Sequence, residues 1–83
     1  MKPVVILSET ASPEEVISRV PVGAYAFAWG RDKRNQLGIR LVEHKPTGPA
    51  FSCIYETGSE YKLRLFASSM VSRHPNERWV FES

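Results

Sequence analysis

With a single cysteine, Cys53, the chain has no intrachain disulfide to staple it and fits a reducing compartment. Long apolar runs are also missing. After Met1-Lys2-Pro3 the run is only Val4 to Leu7, too short for a signal-peptide core or a membrane span. A cytoplasmic location and no membrane partner are therefore expected. The five glycines are scattered and form no G-x-G cluster, which removes the phosphate-cradling loops. The two histidines, His44 and His74, stand thirty residues apart, and with Cys53 they lack zinc-ligand spacing. No Asn-x-Ser/Thr acceptor is present, and no cofactor or metal is expected.

Charge of either sign is modest, with 11 Lys and Arg against 9 Asp and Glu for a net of +2. This says little about nucleic acid by itself. Its distribution says more. Residues 1–23 carry a net of −1, and the remainder a net of +3. The excess is concentrated in Arg31, Lys33, Arg34, Arg40 and Lys45, opposed locally only by Asp32 and Glu43.

The length allows one domain and one economical core. A chain of 83 residues buries roughly 60–65% of its unfolded surface. The apolar share of 42% and charged share of 24% are those of an ordinary folded protein.

Val4-Val5-Ile6-Leu7 reads as a strand covered on both faces and away from a sheet edge. A helix start follows. Ser12 is a good N-cap, Pro13 suits the first helical position, and Glu15 completes an S-x-x-E capping box. Val16, Ile17 and Val20 give one apolar face, and Pro21 ends the helix. So short a helix needs tertiary support, and the alanines of the next strand offer a seat. From there the chain reads as strands at Ala24–Gly30, Leu37–Glu43, Ala50–Glu56, Tyr61–Ala67 and Arg78–Glu82, with turn-like separators between them. Residues 68–73 read as a helical turn or a looped crossover. The fold expected is α+β: a twisted antiparallel sheet of five or six strands with one short N-terminal helix packed on it. A partly open barrel uses the same strands.

The first hairpin carries the functional question. Tyr25, Phe27 and Trp29 alternate with alanines, so all three rings share one face. An odd-length loop sets them on the same side as Leu37, Ile39 and Leu41, in a core. An even-length loop turns them out beside Arg40 as a stacking platform for single-stranded nucleic acid. A small domain needs its aromatics inside, so the buried reading carries more weight, with Trp29 at the rim as an intermediate case. In the second expected hairpin, a loop over Gly58-Ser59-Glu60 places Phe51, Cys53, Tyr55, Leu63 and Leu65 in the core. It sets Glu56 against Lys62 on the solvent side.

Catalytic constellations are weak. Cys53 with His44 or His74 suggests a nucleophile and base, yet a mid-strand thiol usually behaves as a small hydrophobe. Glu14 and Glu15 are helix neighbours that do not face each other, and capping explains them. Ser68, Ser69 and Ser72 have no base at a suggestive spacing. The reading that follows is a non-enzymatic protein-binding module, an inhibitor, adaptor or regulator that occupies one surface of a larger, acidic protein. Arg31, Lys33, Arg34, Arg40 and Lys45 are its contact residues. A phage or mobile element is an expected source for a short chain of this type. The alternative is a nucleic-acid-binding module that uses Tyr25, Phe27, Trp29 and the basic loop. The segment Arg78–Glu82, as an edge strand, is a further place for another chain to pair.

Overall fold

The computed structural model describes residues 4–7, 12–31 and 33–82, with Cys53 by its backbone alone. Six elements run in the order β1 (Ile6–Leu7), α1 (Pro13–Arg19), β2 (Tyr25–Arg31), β3 (Leu37–Lys45), β4 (Gly48–Glu56) and α2 (Glu60–Arg73). The strands form one open sheet ordered β1-β2-β3-β4. The β1–β2 pair is parallel, joined by a crossover through α1, and the other two pairs are antiparallel hairpins. The last segment adds a short fifth stretch on the β1 side, where Trp79 bridges Tyr25 in the parallel sense and Phe81 bridges Val4 in the antiparallel sense. The architecture is α+β as expected. The sheet, however, is mixed rather than wholly antiparallel, it is not closed into a barrel, and a second helix lies near the C-terminus.

The first helix follows its sequence signals. The Ser12 hydroxyl accepts the Glu15 N–H at 3.3 Å, Pro13 takes the first turn, and the helix stops before Pro21. Seven residues do not hold a helix in water. What holds α1 is one face of the sheet, where Val16 and Val20 pack with Val5, Leu7, Ala24, Ala26, Ala28 and Val42. The opposite face carries α2. Its Leu63 and Ala67 are buried together with Val4, Phe27, Leu37 and Ile39. The sheet is thus the middle of three layers, with a buried cluster on each face where the length suggested a single core. β1 serves both outer ones: Val5 and Leu7 belong to the α1 side, Val4 and Ile6 to the α2 side. β1 is covered on both faces and stands first in the strand order, with the C-terminal stretch joined to the residues just before it through the Val4–Phe81 bridge.

The β2–β3 connection spans residues 32–36, an odd length, and the aromatics share a face with Ile39 and Leu41. The register lies two residues from the simplest odd pairing: Trp29 faces Ile39, Phe27 faces Leu41 and Tyr25 faces Glu43. Asn35 takes the left-handed conformation the turn requires, with φ at 63°. The next turn is tighter, with only Pro46 and Thr47 between Lys45 and Gly48. Gly48, at φ 131°, occupies backbone space that favours glycine. Both β3 and β4 consequently extend past the bounds expected from the sequence. A bulge between Ile39 and Arg40 leaves Ile54 as the extra residue on β4.

The largest correction concerns residues 61–67, which form part of α2 and not a strand. Leu63, Phe66, Ala67, Met70 and Val71 recur at helical spacing, and all five pack on the sheet. The Ser59 hydroxyl caps the helix by accepting the Lys62 N–H at 3.3 Å, and Glu60 pairs with Arg64 one turn on at 3.0 Å. Leu65, expected in the core, falls on the outer side and is 52% exposed. Phe51 is also exposed, Tyr55 is half-buried beneath Phe66 with rings 4.7 Å apart, and Leu63 is buried as expected. The Cys53 side chain lies outside the described residues. Glu56 does not meet Lys62 across a hairpin; it approaches Arg34 at 3.9 Å.

Candidate functional site

The residues singled out by sequence divide into three places. Arg31, Lys33 and Arg34 stand exposed at the β2–β3 turn, at one end of the sheet. The Arg31 guanidinium donates to the Asn35 carbonyl at 3.1 Å, which braces the turn from within. The Arg34 side chain is 81% exposed even where it approaches Glu56. Asp32 lies outside the described residues. Arg40 is exposed in mid-strand opposite Ala28, on the α1 side. Lys45 ends β3 at the far hairpin, about 27 Å from Leu37 by strand rise. The structure therefore brings three of the five cations together and separates the other two.

Two rings of the aromatic row, Tyr25 and Phe27, lie against a third, Trp79. Phe27 has no exposed surface and stacks beneath Trp79, with ring centroids 5.2 Å apart and planes 9° from parallel. Tyr25 tilts against the same indole at 5.6 Å, and its hydroxyl donates to Glu43 at 3.3 Å. Burial, the nearby charges of Glu43 and Glu77, and that hydrogen bond together raise the Tyr25 phenol above its ordinary pKa. Trp29 is half-buried at the α2 side. There it joins Ile6, Ile39, Glu60, Leu63 and Arg64 around a notch of about 10 Å³, at most the room of one water molecule.

Trp79 is the residue the sequence reading missed. Its Nε1–H donates to the His74 carbonyl at 2.9 Å, which fixes the indole plane. The backbone on either side locks the segment to β2: the Tyr25 N–H donates to Arg78 and the Val80 N–H donates to Tyr25. The Val5 N–H donates to Val80 in turn. Arg78–Glu82, expected as an edge strand open to another chain, thus spends its central backbone groups inside the molecule. The available signal was the apolar Trp79-Val80-Phe81 run, but its cover over the Tyr25 row is a long-range contact.

His44 is buried on the α1 side and its Nδ1 donates to the Val20 carbonyl at the end of α1. A carbonyl only accepts, so Nδ1 carries the proton in this pairing. The ring thereby satisfies a helix-terminal acceptor in a buried place. The Glu14 carboxyl lies below its ordinary pKa, held there by its own backbone N–H and by the Ser12 side chain. Among the described residues, no group of three or more His, Cys, Asp or Glu side chains is placed to hold a metal ion. No helix among them is long and apolar enough to cross a membrane.

Comparison with protein-family models, with curated proteins and with solved structures finds no match for this chain.

Proposed function

We propose that this chain is a non-enzymatic protein-binding module, an inhibitor, adaptor or regulator that occupies an acidic surface of a larger protein through its β2–β3 turn. What supports the reading is the contrast between its two candidate surfaces. Arg31, Lys33 and Arg34 are exposed on one turn, whereas Phe27 is fully covered by its own fold. Three cations in four positions create a local field that attracts carboxylate or phosphate. Sequence-tolerant binding of single strands also requires ring faces on which bases stack. Here the Phe27 ring is stacked on Trp79, which favours a protein partner over a nucleic acid.

The test reverses the charge of Arg31, Lys33 and Arg34 together. An exposed turn carries little packing, so the melting temperature is expected to stay close to that of the parent protein. A partner retained from nuclease-treated lysate by the parent is expected to be lost by the variant. Titration with single-stranded DNA and RNA at two salt concentrations provides the counter-measurement. No binding is expected at physiological salt, and tight, salt-sensitive binding by the parent protein overturns the proposal.

A further inference from the structure

We propose that β4 is the seam of a two-fold homodimer, pairing antiparallel with β4 of a second copy to continue the sheet across both molecules. β4 ends the strand order, so its outer edge carries no neighbouring strand among the described residues. The other side of the sheet differs, because the C-terminal segment and β1 are tied there by backbone hydrogen bonds.

The direction of the β4 backbone follows from bonds elsewhere in the sheet. The His44 N–H donates to Ala24 and its carbonyl accepts from Gly23, so His44 turns both groups toward β2. Its partner across the β3–β4 ladder is Pro49, which must therefore direct its own backbone away from β3. Phe51, opposite Val42, shares that parity and presents an N–H and a C=O to the open edge. The missing N–H of Pro49 costs the β3 ladder nothing and blunts the edge at one point only.

Natural edges are usually guarded by charge, yet residues 48–55 carry none. Charge appears only where the edge ends, with Glu56, which also approaches Arg34 of its own molecule at 3.9 Å, at one end and Lys45 at the hairpin beyond the other. Such an edge is complementary to itself when run antiparallel. A two-fold axis at Phe51 brings Glu56 of one protomer beside the hairpin end where Lys45 of its partner stands, and does so twice. The register gives Phe51 to the α1 side, where it is 36% exposed. On that side Ile17 of α1, a helix lying over β3 and β4, is 56% exposed and adds apolar surface next to the seam. A strand from an unrelated protein has no reason to carry this reversed charge order.

The experiment follows molecular mass by sedimentation and light scattering across a concentration series of the full chain. A reversible monomer–dimer equilibrium is expected. Phe51→Lys sets like charges across the axis and is expected to weaken association by roughly tenfold or more. Phe51→Pro removes the outward N–H and is expected to act in the same direction, with melting curves confirming that the monomer remains folded. Lys45→Glu and Glu56→Lys should each weaken the dimer, and the double exchange should return it to within roughly threefold of the parent. That rescue is not produced by a merely structural role for either residue. A monomer at every concentration up to the solubility limit overturns the proposal, as does a dimer indifferent to both Phe51 variants. Capture of a foreign strand on β4 in place of self-association overturns it too.

Discussion

The two faces of the sheet are built on opposite plans. The α1 face of β2 is made of small residues: Ala24, Ala26 and Ala28 lie beneath Val16 of a seven-residue helix and Val20 at its C-cap. The α2 face is made of rings and long side chains, with Phe27, Trp29, Tyr55, Phe66 and Trp79 around Leu63 of a fourteen-residue helix. Along β2 each step of one residue moves from one plan to the other, from Ala26 to Phe27 to Ala28. A single strand thus supplies two cores, because its side chains alternate in direction. Small residues on one side let a short helix settle on the sheet. Bulk on the other side asks for a longer helix and a second cover, which the Trp79 segment provides. The α1 face is closed by neighbours in sequence, and the α2 face is closed from the far end of the chain.

The largest effect is expected where that second cover is undermined. Phe27→Ala removes a fully buried ring from beneath Trp79 and should cost about 3–5 kcal/mol in chemical denaturation. Its neighbour offers the opposite test. Ala26→Leu forces bulk between β2 and α1 and should cost about 1–3 kcal/mol through overpacking. Equal small losses at both positions would break the contrast between the faces.

On α2 the contrast runs around the helix. Leu63→Ala should cost about 2–5 kcal/mol, whereas Leu65→Ala, on the outer side, should stay within about 0.5 kcal/mol. A strand over these residues would put Leu63 and Leu65 on one face and give similar losses, so the pair of measurements separates helix from strand. The two helix caps come next. Ser12→Ala and Ser59→Ala should each cost about 0.5–2 kcal/mol, since each hydroxyl accepts one otherwise orphaned N–H.

The smallest effect concerns alkaline pH. The folded protein holds the Tyr25 proton more tightly than an unfolded chain does, because of burial first and the Glu43 and Glu77 charges after it. This contribution is intact below the ordinary tyrosine pKa and is lost as pH rises through the higher folded value. Tyr25→Phe should flatten that part of the stability curve, as read from melting temperatures across an alkaline series.

How legible each element was depends on how local its cause is. α1 could be read because Ser12, Pro13 and Glu15 act on one another within a single turn. α2 was hidden by a coincidence of periods. Tyr61, Leu63 and Leu65 alternate like a strand, and Ser59 is followed at the third place by Lys62 instead of the acid of a capping box. The helical set at 63, 66, 67, 70 and 71 emerges only when the window runs past Ala67. The basic turn was legible for the same local reason as α1, since Arg31, Lys33 and Arg34 are neighbours in sequence. Lys45 was grouped with them by proximity along the chain, but a strand of nine residues carries it to the opposite end.

The sequence left the parity of the first loop open, but it carried by itself the alternation of β2, the first cap and the cation cluster. Each arises from residues within a few positions of one another. Only the tertiary structure decided that the first loop is odd, that β1 runs parallel to β2, that Tyr25 and Phe27 lie against Trp79, and that β4 ends the strand order among the described residues. Most of these depend on contacts between segments dozens of residues apart. Such contacts form because two apolar faces of one sheet must both be covered, and local propensity does not specify which distant segment covers each one.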